Sequence, residues 1–160
     1  MALDGATTVR HALASLAYRM QTAVKDAPEG FGEFEAGHGV RTPAAILRHM
    51  THVIEAGRCR TAGAESPPEP DPLGFPAEIA RFHDTLTALD RALETETRED
   101  LLKKLLQGPI SDALTHAGQL ALLRRMAGAS VQGQSFAAAD IRTGNVGPDQ
   151  AAPRKSYPKE

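Results

Sequence analysis

Ile110-Ser111-Asp112-Ala113-Leu114-Thr115-His116-Ala117-Gly118-Gln119-Leu120 is the stretch on which the fold turns. In a helix, residues four apart stack on one face, so Asp112 and His116 point the same way about one turn apart. The remaining faces are almost all apolar or small, the composition of a helix surrounded by neighbours. A carboxylate buried in such a segment is costly unless it is paired, hydrogen-bonded or bound to a metal. A divalent cation is the partner that accounts for both residues together.

Three further amphipathic patterns flank this one. From about Thr7 to Asp26, Val9, Leu13, Leu16, Met20 and Val24 recur at spacings of four and three, and Pro28 with Gly30 ends the run. Thr42-Pro43 opens a second helix with a hydroxyl at N-cap and proline at N1. Ile46, Leu47, Met50, Val53, Ile54 and Gly57 form its stripe. The stretch from Ala64 to Pro72 carries four prolines and reads as a stiff linker. Phe75-Pro76 begins a third helix, with Ile79, Phe82, Leu86, Leu89 and Leu93 on one face. Glu99 to Leu106 reads as a short extra helix ended by Gly108-Pro109. The last long helix then runs from about Pro109 to Ala127, closed by Gly128, with Arg124 and Arg125 in its final turn.

No alternating strand pattern occurs, so the expected fold is all-α: a four-helix bundle over residues 1–128, followed by an irregular but ordered C-terminal tail, 129–160. The tail is expected to pack on the bundle or on a dimer partner. A chain of 160 residues sustains one core without disulfides, and the single Cys59 forms none within the chain. The net charge of −2 and the lack of a basic, aromatic-laced stripe argue against nucleic acid. No apolar run reaches the ~20 residues of a membrane span. Met1 to Gly5 lacks a secretion signal, so a cytoplasmic location is expected.

A catalytic metal commonly takes three protein ligands and keeps a position open. Of the six histidines, helical geometry places His49 on the shoulder of the second helix's apolar stripe, as the best inward candidate. His52 rotates outward beside Arg48 and Glu55, His83 and His11 lie off their stripes, and His38 sits in a glycine loop. Two of the three ligands also have a plain alternative, and mid-helix His116 is not explained by the dipole. His49 could be a neutral imidazole bonded to a carbonyl at the core edge, and Asp112 a carboxylate at a helix N-terminus. Two histidines and one carboxylate suit Zn²⁺, Ni²⁺, Mn²⁺ or Fe²⁺ without choosing among them.

The segments Arg41-Thr42-Pro43-Ala44-Ala45-Ile46-Leu47-Arg48-His49-Met50 and Asp112 to Arg125 resemble the DinB/YfiT-like superfamily of metal-dependent four-helix bundles. The resemblance covers most of the chain. That family has one histidine on helix two and, on helix four, H-x-x-x-H followed by Gly-Gln. The resemblance implies that His49 takes the helix-two ligand role and His116 the second position of the helix-four pair. Asp112 replaces the first histidine, a departure that shifts preference toward harder ions. It further implies an up-down-down-up bundle, frequent homodimers, and chemistry like that of thiol-dependent S-transferases and a mycothiol-dependent isomerase.

The expected function is therefore a metal-dependent transferase or hydrolase-like enzyme, with open metal positions taken by water or a low-molecular-weight thiol. Gln119 is either a neighbour that orients His116 or a helix-packing residue. Arg124 and Arg125 either receive a cofactor's carboxylates or answer the helix dipole, and His52 is a weaker candidate beside the site. The other reading is a non-catalytic dimeric bundle with a structural or vestigial metal site. A cleft over His49 and Asp112 favours the enzyme; a site sealed by the tail favours the structural role.

Overall fold

The computed structural model describes residues 4–158, so the chain ends at 1–3 and 159–160 lie outside it, with most of the segment inspected for a secretion signal. Helix α1 spans Gly5–Val24, capped by Asp4, whose carboxylate accepts from the Thr7 amide at 2.7 Å. Helix α2 spans Pro43–Thr61, and Thr42 Oγ1 accepts from Ala45 N at 3.3 Å, the cap and the N1 proline expected from sequence. Helix α3 spans Phe75–Ala92, α4 spans Glu99–Leu105 and α5 spans Ser111–Met126. Among the described residues there is no strand, only an isolated bridge between Gln134 and Ser156.

The four long helices close a ring of contacts. α2 lies along α3, α1 along α5, and the ring is completed by α2 against α5 and α1 against α3. Leu13, Leu16, Met20, Leu47, Met50, Ile54, Phe82, Leu86 and Leu120 fill the interior with essentially no exposure. Burying each such side chain contributes about 1.5–3 kcal/mol, which is how these faces select one another. A bidentate ion pair ties the ring across its rim: Arg10 donates to both oxygens of Asp90 at 2.9 and 2.8 Å.

Two sequence expectations are corrected. Gly108-Pro109 does not separate α4 from the last helix, because Leu106–Ile110 form a π-helical turn that joins α4 to α5. Proline lacks an N–H and its ring collides with the carbonyl four residues back. The wider turn relieves that collision without breaking the rod, and Ser111 Oγ donates to the Leu106 carbonyl at 2.6 Å. Nor is α5 enclosed on every side, since Leu122 and Met126 are both 53% exposed.

The tail is irregular, as composition indicates, apart from a short 3₁₀ turn at Phe136–Ala138. It folds back along α1 and α3. Tyr18 Oη donates to Gln134 Oε1 at 2.8 Å, His11 Nδ1 meets Thr143 Oγ1 at 3.1 Å, and His83 Nδ1 meets the Val146 carbonyl at 2.7 Å. Gly128, with φ +75°, turns the chain out of α5 in the left-handed conformation that glycine adopts without strain. No helix among the described residues is long and apolar enough to cross a membrane.

Candidate metal centre

The site forms where α2 crosses the start of α5. Close approach there depends on Gly57: a Cβ at this position would lie 3.1 Å from Pro109 Cγ and 3.2 Å from Leu105 Cδ2. The missing side chain lets α2 rest on the π turn, and the two rods then run together toward His49 on one side and Asp112 and His116 on the other.

Asp112 Oδ2 lies 3.6 Å from His49 Nε2 and 3.6 Å from His116 Nε2. The two imidazoles meet edge to face with centroids 4.9 Å apart. One ligand atom from each residue lies within 4.8 Å of the others, so the His49, Asp112 and His116 side chains could hold a metal ion. Ligands about 2.1 Å from a tetrahedral ion stand roughly 3.4 Å apart, close to the two carboxylate–imidazole separations. The donor set, two imidazole nitrogens and one carboxylate oxygen, fits a divalent cation of intermediate hardness.

Asp112 departs from the sequence reading in one respect. Its side chain is 46% exposed, against 22% for His49 and 12% for His116. The carboxylate is therefore not a buried charge in search of a partner. Its position between two imidazoles, rather than a desolvation cost, is what marks it.

The neighbours prepare the imidazoles. His116 Nδ1 lies 2.7 Å from Gln119 Oε1, one turn on. An amide oxygen only accepts, so Nδ1 donates to it, and Nε2 is the ring nitrogen on the side of the carboxylate. Of the two roles left open for Gln119, this contact is the one expected of a residue that orients His116. His49 titrates below the ordinary histidine range, chiefly because of burial and then because Arg41 and His116 lie near, with Asp112 and Glu69 opposing. Its ring is neutral at pH 7, the form that ligates. Glu69 comes from the proline-rich linker and is fixed by Arg48, which donates to it at 2.7 Å.

One flank of the triad adjoins a groove of about 520 Å³ lined by His52, Val53, Arg60, Gln107, Asp112 and Thr115 among others. His52 was expected to rotate away from the stripe; it lines this groove, with Nδ1 shielded from solvent and without a hydrogen-bond partner among the described residues. The tail does not line the groove, its contacts lying on α1, α3 and the far face of α5.

Arg124 is not part of this site. It is 5% exposed and donates to the carbonyls of Ala23, Lys25, Asp26 and Ala129 at 2.9–3.4 Å. Arg124 caps the end of α1 and fastens the first residues of the tail, and its guanidinium lies 5.5 Å from the Phe31 ring. Sequence reasoning also missed His83, which is 4% exposed and held between the Val146 carbonyl and Gln21. Its place beside Phe82 on a partly apolar face was the only local signal.

No protein-family model, curated protein or solved structure matches the chain.

Proposed function

We propose that this protein is a divalent-metal-dependent enzyme with a DinB/YfiT-like up-down-down-up bundle, transferring a low-molecular-weight thiol to a small electrophile or hydrolysing one. The observation that supports this most is the open flank of the triad: Asp112 belongs both to the His49/His116 cluster and to the 520 Å³ groove. A purely structural site is usually closed, whereas a catalytic one keeps a position for substrate.

A bound cation would lower the pKa of a coordinated thiol or water and so supply a nucleophile at neutral pH. The chain's own residues do the rest. Gln119 holds His116 in the ligating tautomer, and His49 stays neutral. Asp112, half exposed, is displaced from solvent as the groove fills. His52 contributes to the wall of the groove in which the substrate would lie.

Metal analysis of the purified protein and of His116→Ala tests the assignment: occupancy is expected in the first and lost in the second. Full occupancy in the variant discards it. Reconstitution metal by metal, followed by a screen of small thiols with electrophilic acceptors, tests the reaction class. Sedimentation velocity tests the homodimer that belongs to the same proposal.

Asp112 standing where the resembled family has a histidine favours a second reading, a non-catalytic dimeric bundle in which the triad stabilises the fold or is vestigial. That reading expects metal to raise the thermal midpoint by linkage, with no turnover for any thiol and electrophile pair.

A further inference from the structure

The face of α5 opposite the triad borders a second cavity, of about 300 Å³, enclosed with α1 and the tail segment 130–136. Leu114, Ala117, Ala121 and Leu122 recur at helical spacing and give it an apolar wall. Gly118 widens it, since a Cβ there would meet nothing within 4 Å.

The tail wall is held in place. Gln134 accepts from Tyr18 Oη at 2.8 Å and donates to Thr22 Oγ1 at 3.4 Å. Ser135 N donates to the Lys155 carbonyl and Tyr157 N to that of Gly133, at 3.0 and 2.8 Å. Phe136 packs edge-on to Tyr18 with centroids 6.1 Å apart, and the Arg19 guanidinium lies 4.0 Å over its ring.

The charge at this cavity is one-sided. Arg19 and Arg125 line it, no aspartate or glutamate does, and neither arginine has a carboxylate within 4.0 Å among the described residues. In a chain of net charge −2, an apolar hollow bearing two unpaired guanidiniums and no acid is complementary to an anion with an apolar body.

We propose that this cavity binds a small carboxylate carrying a compact apolar group, independently of the metal centre. The guanidiniums take the carboxylate, and the apolar wall takes the remainder. A volume of about 300 Å³ stands at the small end of ligand pockets and suits a single-ring or short branched acid.

Phenylacetate, its neutral isostere phenylacetamide and inorganic phosphate are the probes, titrated into the ¹⁵N-labelled full-length chain. Saturable phenylacetate binding is expected, with amide shifts centred on Gly118, Gly133 and Gln134 and a decline with added salt. Phenylacetamide and phosphate each lack one half of the complement and should bind at least about tenfold more weakly. Arg125→Met and Arg19→Met should each weaken phenylacetate about tenfold or more. Gly118→Leu should abolish binding while leaving the helical circular dichroism and the parent's oligomeric mass unchanged. His116→Ala should bind phenylacetate as the parent does, so failure of the metal assignment leaves this result standing. Equal binding of acid and amide, parent-like affinity in both arginine variants, or no shift at the cavity overturns the proposal. So does a parent dimer that Gly118→Leu dissociates, because a second copy would then be the occupant.

Discussion

Replacing Gln119 with leucine isolates the contribution of a single hydrogen bond to the candidate metal centre. The amide oxygen sits 2.7 Å from His116 Nδ1, and His116 is 12% exposed while Gln119 itself lies at the surface. A neutral hydrogen bond of this kind contributes about 1 kcal/mol net, so losing it releases the ring to its other tautomer by a factor of about five. Outer partners of metal-bound histidines generally change affinity 10–100-fold. With one partner solvent-exposed, the low end applies, about tenfold or 1.4 kcal/mol. The fold should not suffer, since leucine is a good helix former at an exposed position. Competition against a chromophoric chelator with Zn²⁺ and Mn²⁺ reads the affinity, and long-range ¹H–¹⁵N correlation reads the tautomer. Gln119→Glu should act in the opposite sense, because a carboxylate accepts the same proton and raises the ring's basicity. Unchanged affinity together with an unchanged tautomer in Gln119→Leu would refute the orienting role.

Other substitutions probe the frame around the site. Gly57→Ala should destabilise the protein and weaken metal binding, because its Cβ meets Pro109 at 3.1 Å, whereas Gly118→Ala should stabilise by up to about 1 kcal/mol through helix propensity; paired urea titrations compare them. Arg124→Met leaves the carbonyls at the end of α1 without their donor and should cost about 3 kcal/mol or more, with faster hydrogen exchange over residues 129–146. His83 titrates below the ordinary histidine range because it is buried, although its bond to the Val146 carbonyl pulls the other way. Its Nδ1 lies 2.7 Å from that carbonyl and its Nε2 3.0 Å from Gln21 Oε1, so burial outweighs both acceptors. The unfolded chain therefore binds the extra proton first, so stability should be full above about pH 6.5 and fall as the pH drops below it. Urea midpoints from pH 8 to 5 should show this slope, and a slope unchanged in His83→Gln would count against it.

Local sequence determined the helices. Asp4 and Thr42-Pro43 start them because their side chains satisfy or dispense with orphan amides, and Gly128 ends α5 because only glycine takes its φ without strain. Periodicity also named the faces that are buried, and it put His49, Asp112 and His116 where neighbouring rods could bring them together. What lies opposite each face was decided only by the packed chain. Arg124 in the last turn reads from sequence as an answer to its own helix dipole, yet its guanidinium is occupied by carbonyls about a hundred residues earlier. Gly108-Pro109 reads as a helix end, yet packing against Gly57 keeps the rod continuous through a π turn. Asp112 reads as buried and stands half in water, because the tail docks on the other side of α5 and leaves it uncovered. A period of 3.6 specifies direction around one axis; the partner met in that direction depends on how several faces bury their apolar area at once, a property of the whole core.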